Sequence, residues 1–137
     1  MITGDSMRVV SWNLNGIRAA IRKGLDDWIE EIDADIWLLQ EVRALPEQLP
    51  TDWSLPAGHE VVWHPAEKKG YSGVASMSRV GIEDTGRGIE TNLDPNDAEG
   101  RVLTTKCGPL TCINIYLPNG GSGPARQAYT DQWLEDL

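Results

Sequence analysis

The first third of the chain alternates short apolar runs with one amphipathic stretch. Residues 8–13 contain a β-branched and aromatic run that leads into the polar turn Asn-Leu-Asn-Gly, which predicts a first strand. From 17 to 32 the apolar residues recur mostly three or four positions apart, with an interruption near Gly24, as on one face of one helix or of two consecutive helices. Residues 35–39 form a mostly apolar run that is too short for a helix, which is typical of a strand buried on both faces.

The rest of the chain contains a loop, a series of short strands and a final helix. Residues 44–58 include three prolines and few periodic apolar positions, so a loop with at most one helical turn is predicted. Strand-like runs then follow at short intervals, at residues 61–63, 73–77, 80–82, 102–105 and 111–116. Pro124 occupies a favourable first position for a helix over 124–137. The pattern predicts an α+β fold with a largely antiparallel sheet and helices on one face.

Composition places the chain among ordinary globular domains. It has 137 residues, of which 40% are hydrophobic and 24% charged, and this suits one small domain over 1–137. No apolar stretch approaches the roughly 20 residues that a membrane span requires. Residues 1–6 lack the cationic and apolar regions of a secretory signal, so we expect a flexible leader and a cytoplasmic location. Cys107 and Cys112 are expected to be reduced thiols that face each other across a hairpin.

The net charge of −9 does not favour simple nucleic-acid binding, because contacts of Lys and Arg with phosphates supply most non-specific affinity. A phosphodiester can instead be approached through a divalent cation that clustered carboxylates hold. An acidic chain with a local basic rim is compatible with such chemistry, and charge alone therefore does not decide the function.

Polar residues lie where the predicted strands leave the core, and a rigid sheet edge can aim such side chains into one cleft. Glu41 directly follows the second predicted strand, where a carboxylate can bind Mg²⁺, although a solvated glutamate is the alternative. Asn13 and Asn15 lie in the first polar turn, and Tyr116 and Asn119 lie at the last predicted strand and the turn after it. Each of these four residues is also explained as a turn or strand-end residue.

Five segments taken together are far more specific than any one of them. In chain order they are Ser11-Trp-Asn-Leu-Asn-Gly-Ile-Arg-Ala-Ala20, Leu39-Gln-Glu-Val-Arg43, Lys69-Gly-Tyr-Ser-Gly-Val-Ala75, Glu99-Gly-Arg-Val102 and Asn114-Ile-Tyr-Leu-Pro-Asn-Gly120. The series resembles the successive amino-terminal motifs of exonuclease III and related abasic-site endonucleases, within the endonuclease/exonuclease/phosphatase superfamily. The resemblance implies the amino-terminal half of a four-layer α/β/β/α sandwich, in which two packed β-sheets lie between outer helices.

The resemblance also implies roles for individual residues. Glu41 matches the metal-binding glutamate, and Asn15 lies where relatives carry Asn or Asp near the metal. Asn13 matches the active-site asparagine, and Tyr116 matches the tyrosine near the scissile phosphate. Three further positions are implied to lie near DNA: Tyr71, Arg101 and Asn119. For Arg101 a structural salt bridge is the alternative.

The implied chemistry is hydrolysis of a DNA phosphodiester by an activated water. The implied cofactor is Mg²⁺, with Mn²⁺ as a possible substitute, and it would neutralise the charge that builds on the phosphate oxygens. The implied substrate is double-stranded DNA with abasic sites or 3′ ends, and no membrane partner is expected.

Two motifs of the family's second half are missing from this sequence. They are a Gly-Asp-x-Asn motif and a terminal Ser-Asp-His motif, which supply the catalytic Asp and Asn and the Asp-paired His. The two histidines, His59 and His64, match neither motif, and we expect surface or loop roles for both, without a carboxylate partner. Because groups that act as a unit lose nearly all activity together, we expect the isolated chain to be inactive and to need a carboxy-terminal half or a second copy.

Two other hypotheses stay open. Related phosphodiesterases act on phospholipid or inositol phosphate head groups, although the run Asn15-Gly-Ile-Arg-Ala-Ala20 favours the nuclease branch. Alternatively, the chain is a non-catalytic half-domain that pairs through an exposed sheet, because apolar faces without a second layer are interaction surfaces.

Overall fold

A computed structural model describes residues 6–89, 93–118 and 123–137 and contains two β-sheets. Four strands form the first sheet: β1 (Val9–Asn13), β2 (Ile36–Gln40), β3 (Glu60–His64) and β4 (Val74–Ser78). The second sheet consists of β5 (Glu83–Arg87), β6 (Val102–Cys107) and β7 (Leu110–Ile115). The strand orders are β1-β2-β4-β3 and β5-β6-β7. β1 pairs with β2 in parallel, and the other pairs of described strands are antiparallel, so the predicted α and β structure with mostly antiparallel pairing is confirmed.

Two short helices cover one face of the four-stranded sheet. α1 (Ile17–Arg22) and α2 (Leu25–Ile32) are separated at Gly24, which has a φ of 99°. Residues with a Cβ are strained in this left-handed region, so the interruption in the apolar pattern separates two consecutive helices. The helices and the sheet share one apolar core, which includes Ile17, Leu25, Ile29, Trp37, Leu39, Ala75 and Met77.

The loop after β2 contains a single 3-10 turn at Pro46–Gln48, as predicted. The last helix, α3 (Pro124–Asp136), begins with its proline in the first turn. The predicted strand at 80–82 is wrong, because β5 begins only at Glu83. Val80 and Ile82 are instead partly buried against a small cluster between the sheets. They are apolar because they pack against this cluster, and not because they alternate along a strand. None of the helices in the described part of the chain has the length and hydrophobicity needed to cross a membrane.

Cys107 and Cys112 are buried free thiols on neighbouring strands of the β6–β7 hairpin. Cys107 pairs with Leu110 and Cys112 pairs with Thr105, so the two thiols are diagonal neighbours on one face of the sheet. Burial, and then the neighbouring Cys107 thiol, raise the pKa of Cys112 to about 11. The two cysteines lie across a hairpin, as predicted, and a thiol with so high a pKa stays protonated and unreactive near neutral pH.

A buried amide network joins the two sheets at one end. The Asn114 side chain of β7 donates hydrogen bonds to the carbonyl oxygens of Leu39 and Ala75, at 3.1 and 3.0 Å. Its Oδ1 accepts a bond from Gln40 Nε2 at 2.8 Å, and Gln40 also donates to Ser11 Oγ at 3.0 Å. Since Asn114 is 1% exposed and a buried amide must find partners, these bonds fix β7 over β2 and β4.

Replacing Asn114 by Ala should lower the free energy of unfolding by about 2–4 kcal/mol, because the Gln40 amide and two buried carbonyl groups lose a partner. Urea unfolding followed by circular dichroism measures this loss. Thr111→Ala, at an exposed position of the same strand, is the control and should cost less than about 1 kcal/mol. Equal effects of the two substitutions would show that the network does not hold the sheets together.

Candidate active site

Main-chain hydrogen bonds join the loops after β1 and β2 to the loop before β4. The amides of Leu14 and Gly16 donate to the carbonyl oxygens of Gln40 and Glu41, at 3.0 and 2.8 Å. The amides of Val42 and Arg43 donate to the carbonyl oxygens of Gly73 and Ser72, at 3.1 and 2.9 Å. Gly73 has a φ of 85°, and a Cβ there would lie 3.0 Å from Val42 Cγ2, so glycine permits the close approach of these loops. Residues 14–17, 41–43 and 72–73 therefore form one main-chain platform.

The backbone of the main-chain platform is strained at several residues other than glycine. Asn15, Glu41, Arg43 and Ser72 have φ values of 49°, 54°, 54° and 48°. Glutamate, arginine and serine rarely adopt this region, and such outliers cluster at functional sites, where the surrounding structure enforces them. In this chain the main-chain hydrogen bonds of the platform hold these residues in that conformation. The strain marks this edge of the four-stranded sheet as the candidate site.

The Glu41 carboxylate lies at the centre of the candidate site. Its side chain is 13% exposed and forms an ion pair with Arg43, whose side chain is 44% exposed. Burial raises the pKa of Tyr116, and the negative charge of Glu41 raises it further. A charge shifts a pKa in this way only when it lies nearby. The end of β7 thus approaches the loop after β2. The structure places Glu41 and Tyr116, two of the residues singled out in the sequence, at the same end of the packed strands β2 and β7.

Asn13 and Asn15 are exposed at the end of β1 and in the loop that follows it. Asn13 Oδ1 accepts a hydrogen bond from the backbone amide of Asn15 at 2.9 Å, which is a local turn that asparagine favours. Asn15 precedes Gly16, whose amide donates to the Glu41 carbonyl oxygen, and Asn13 pairs with Gln40, the residue before Glu41. Their roles in catalysis and metal binding stay predictions. Asn119 lies outside the described residues, as do residues 1–5 of the expected leader.

A second carboxylate, Glu99, binds two arginines and approaches a tyrosine. Arg101 Nη2 and Arg126 Nη2 donate to Glu99 Oε1 at 2.8 and 2.7 Å. Both guanidinium groups also donate to the Tyr71 hydroxyl, at 3.2 and 3.0 Å. Burial raises the pKa of Glu99, but the bonds from Arg126 and Arg101 lower it more, and the pKa lies below its usual value. This Glu99 cluster (Tyr71, Glu99, Arg101 and Arg126) connects α3 to the loop before β4.

Arg101 holds both tyrosines of the candidate site. Its Nη1 donates to the carbonyl oxygen of Tyr116 at 3.2 Å, and its guanidinium carbon lies 5.1 Å from the centre of the Tyr116 ring. The Arg101 side chain is only 2% exposed and forms a salt bridge with Glu99. A direct contact of Arg101 with DNA stays a prediction, and this burial favours the structural alternative.

The prediction for His64 is wrong. His64 is 6% exposed at the end of β3, and its Nε2 lies 2.7 Å from Oδ2 of Asp97, which is 3% exposed. Asp97 Oδ2 also accepts the backbone amides of Arg101 and Val102, at 3.0 and 2.8 Å. The pair therefore fixes the start of β6 next to the Glu99 cluster. His59 lies in the loop before β3, as predicted.

An open cavity of about 440 Å³ adjoins the main-chain platform. We call it the arginine cavity, and it is lined by Asn15, Gly16, Arg18, Ala19, Arg22, Arg43 and Gly70. Three of these residues are arginines and none is acidic. The sequence interpretation missed Arg18 and Arg22, although residues four apart on a helix lie on one face and both lie in the helix that follows the first polar turn.

Within the described ranges, no group of three or more His, Cys, Asp or Glu side chains gathers closely enough to bind a metal ion. Among the residues of the main-chain platform, Glu41 is the one carboxylate. Magnesium often uses one or two protein carboxylates and completes its shell with waters and substrate phosphate oxygens. The donor set fits such an open site and does not fit a closed structural metal site.

Replacing Glu99 by Gln should destabilise the fold by about 1–2 kcal/mol near neutral pH, because two arginines lose their ionised partner. The pKa of Glu99 is lowered in the folded chain, so its stabilising effect is complete above the unfolded pKa and is lost as the pH falls through the folded pKa. The difference from wild type in urea unfolding should therefore shrink below about pH 4.

The control for this measurement is Glu83→Gln, which alters an exposed carboxylate at the start of β5. It should show no comparable pH-dependent difference from wild type. A Glu99→Gln difference that persists unchanged in acid would contradict the ionised Glu99 cluster.

Residues 10–137 match a family model described as the Endonuclease/Exonuclease/phosphatase family. The DNA repair nuclease APEX1 of Danio rerio is 34% identical over 96% of this chain and 43% of its own length. The exodeoxyribonuclease of Bacillus subtilis is 38% identical over 96% of this chain and 50% of its own length. This chain thus spans about half the length of the curated relatives it matches.

Two solved structures share the fold of this chain. The AP endonuclease from Archaeoglobus fulgidus matches with a TM-score of 0.81 at 28% identity, over 96% of this chain and 49% of that protein. The 3′-5′ exonuclease from Neisseria meningitidis matches with a TM-score of 0.80 at 27% identity, over 96% of this chain and 50% of that protein. The predicted fold and the resemblance in the motifs are confirmed. The chain therefore belongs to the endonuclease/exonuclease/phosphatase family.

Proposed function

We propose that this chain is part of a metal-dependent DNA-repair nuclease that hydrolyses DNA phosphodiesters. The proposal is supported by one observation above all: β7 packs over β2, so that Tyr116 at the end of β7 lies near Glu41 of the main-chain platform, which the arginine cavity adjoins. A carboxylate for a cation and guanidinium groups for phosphates are two elements that phosphodiester hydrolysis uses. The names of the curated relatives, a DNA repair nuclease and an exodeoxyribonuclease, support DNA as the substrate.

Glu41, with Asn15 nearby, would hold Mg²⁺, for which Mn²⁺ could substitute. When bound, the ion would neutralise the charge that builds on the phosphate oxygens during hydrolysis. Arg43 pairs with Glu41 in the structure and would have to turn away, which its 44% exposed side chain permits. In the same movement Arg43 would point its guanidinium toward the arginine cavity, of which it is a lining residue.

Tyr116 would contact the scissile phosphate, and Asn13 would orient the reacting groups. The raised pKa of Tyr116 keeps its hydroxyl protonated near neutral pH, so it would act as a hydrogen-bond donor. Arg101 holds the ring and the carbonyl group of Tyr116 and so limits the directions available to that donor. The Tyr71 hydroxyl already accepts bonds from Arg101 and Arg126, so Tyr71 would meet DNA with its ring.

The arginine cavity would bind the phosphate backbone of the DNA. Arg18 and Arg22 project from α1 into it. This local basic surface would supply phosphate contacts although the net charge of the chain is −9. We propose duplex DNA with an abasic site or a 3′ end as the substrate. One solved relative, a 3′ phosphatase from Neisseria, was determined with a product DNA hairpin, which supports DNA ends as ligands of this fold.

We propose that the activity requires a second half, because the chain spans about half of its curated relatives. The Gly-Asp-x-Asn and Ser-Asp-His motifs implied by the resemblance would supply the remaining catalytic groups, and removal of groups that act together abolishes most activity. A cytoplasmic location stays part of the proposal.

Incision of a duplex with one abasic site tests the function. This chain, mixed with the half of the Bacillus subtilis exodeoxyribonuclease that it does not match, should cleave in the presence of Mg²⁺, and neither half should cleave alone. Glu41→Gln should lower the rate by at least about 100-fold and should weaken Mn²⁺ binding measured by electron paramagnetic resonance. Glu60→Gln, at the exposed start of β3, is the control. Cleavage of inositol phosphates by the mixture, with DNA left intact, would contradict the proposal.

The double substitution Arg18→Ala and Arg22→Ala should weaken binding of a short duplex to the same mixture. Each lost phosphate contact should reduce the slope of log affinity against log salt by about 0.9, which fluorescence anisotropy at several salt concentrations measures. Arg87→Ala, which removes an arginine paired with Asp84 on β5, should leave the slope unchanged. An unaltered slope in the double variant would show that the arginine cavity does not contact DNA phosphates.

A further inference from the structure

A cavity of about 570 Å³ lies between β3 and the loop that precedes it. Small-molecule sites have volumes in this range. We call it the tryptophan cavity, and its lining residues include Glu47, Leu49, Trp53, Leu55, Val61 and Trp63. None of its lining residues also lines the arginine cavity. The tryptophan cavity is therefore separate from the candidate active site.

The walls of the tryptophan cavity are mostly apolar and are held by local contacts. Leu49 and Val61 pack against the core that the helices share with the four-stranded sheet. Within the loop, the amide of Trp53 donates to the Pro50 carbonyl oxygen at 3.0 Å, and the amide of Leu49 donates to the Pro46 carbonyl oxygen at 3.3 Å. Each proline also fixes its own φ. The cavity is thus formed without a ligand, and binding would require little ordering of the chain.

Two indole rings contribute their carbon atoms, and not their N–H groups, to the cavity wall. Trp53 Nε1 donates to Asp26 Oδ1 at 2.7 Å, and Trp63 Nε1 donates to the Ala44 carbonyl oxygen at 2.9 Å. Neither Asp26 nor Ala44 lines the tryptophan cavity, so both N–H groups are bonded outside it. The face of an indole ring carries negative partial charge and attracts a cation that lies within about 6 Å of the ring centre.

The charge of the cavity lining is negative. Glu47 is the one charged residue that lines it. The Glu47 residue is exposed, and no lysine or arginine of the described residues forms an ion pair with it. A carboxylate beside two indole rings favours a positively charged occupant. A hard metal ion does not suit the site, because apolar walls cannot replace the oxygen ligands of such an ion.

We propose that the tryptophan cavity binds a small organic cation of the quaternary ammonium class. The methyl groups of such a cation would be buried against Leu49 and Val61, while its charge would interact with the indole rings and Glu47. A quaternary ammonium group has no N–H, so it needs no hydrogen-bond acceptor within the apolar part of the cavity. The proposal does not depend on the proposed nuclease function.

Choline and 3,3-dimethyl-1-butanol, its neutral analogue of the same shape, test the proposal. Titration of the chain in about 0.15 M salt, which screens long-range attraction, is followed by the indole N–H resonances in nuclear magnetic resonance spectra. Choline should shift the Trp53 and Trp63 resonances saturably. The resonance of Trp28, which does not line the cavity, should stay in place. The neutral analogue should bind at least about tenfold more weakly. Equal affinities, or no saturation up to about 50 mM choline, would overturn the proposal.

Two substitutions of Trp53 separate the contribution of the aromatic ring from that of apolar contact. Trp53→Leu keeps an apolar wall without a ring, so the dissociation constant for choline should rise at least about fivefold. Trp53→Phe retains an aromatic face and should bind within about threefold of wild type. Both variants lose the bond to Asp26, so the ring is the difference between them. An equal loss of affinity in the two variants would overturn the role of the ring.

Glu47→Gln should weaken choline binding at least about threefold, and it also serves if Trp53→Leu fails to unfold cooperatively. Glu83→Gln, at the exposed start of β5, changes the net charge by the same amount and should leave the affinity unaltered. Equal effects of the two carboxylate substitutions would show that choline responds to the overall charge of the chain, and would overturn recognition by the tryptophan cavity.

Discussion

The side-chain amide of Asn114 joins the two sheets, and the geometry of the candidate site depends on it. From β7 it reaches the carbonyl oxygens of Leu39 and Ala75 on the other sheet, so β7 cannot slide along β2 without leaving buried polar groups unpaired. Tyr116 lies two residues beyond Asn114, and Glu41 lies two residues beyond Leu39. The separation of the tyrosine and the carboxylate is therefore set by a network that includes neither of them.

Two kinds of interaction fix the positions of Glu41 and Tyr116. On the side of Glu41 the support is main chain, because amide and carbonyl groups of three loops bind one another. On the side of Tyr116 it is ionic, because Arg101 joins the Tyr116 carbonyl to Glu99, and Asp97 with His64 fixes the start of β6. Buried ionic clusters of this kind stabilise a structure only when every partner is present. The main-chain hydrogen bonds near Glu41 do not depend on charged partners in this way.

Local patterns were sufficient for most of the fold, and tertiary pairing explains the failures. The break at Gly24 and the apolar run of β2 are local features, and both appear as expected. β5 has few apolar residues and is a strand because it pairs with β6, so its own sequence at 83–87 did not reveal it. The partner of His64 is 33 residues away, and no periodicity reports such a contact. Among site residues, the motifs identified Glu41, whereas its strained backbone became visible only in three dimensions.

Because the main-chain platform is built from peptide groups, most of its geometry does not depend on which side chains it displays. Positions 15, 41 and 43 project from a framework that other residues could occupy at the same backbone geometry, with Gly16 and Gly73, at φ values of 97° and 85°, as the fixed requirements. Under the proposed function, single substitutions there would alter which cation, phosphate or leaving group is favoured while the fold persists. A scaffold with this property is readily diversified during evolution. The same framework can then serve endonucleases, exonucleases and phosphatases, the three activities in the name of the family.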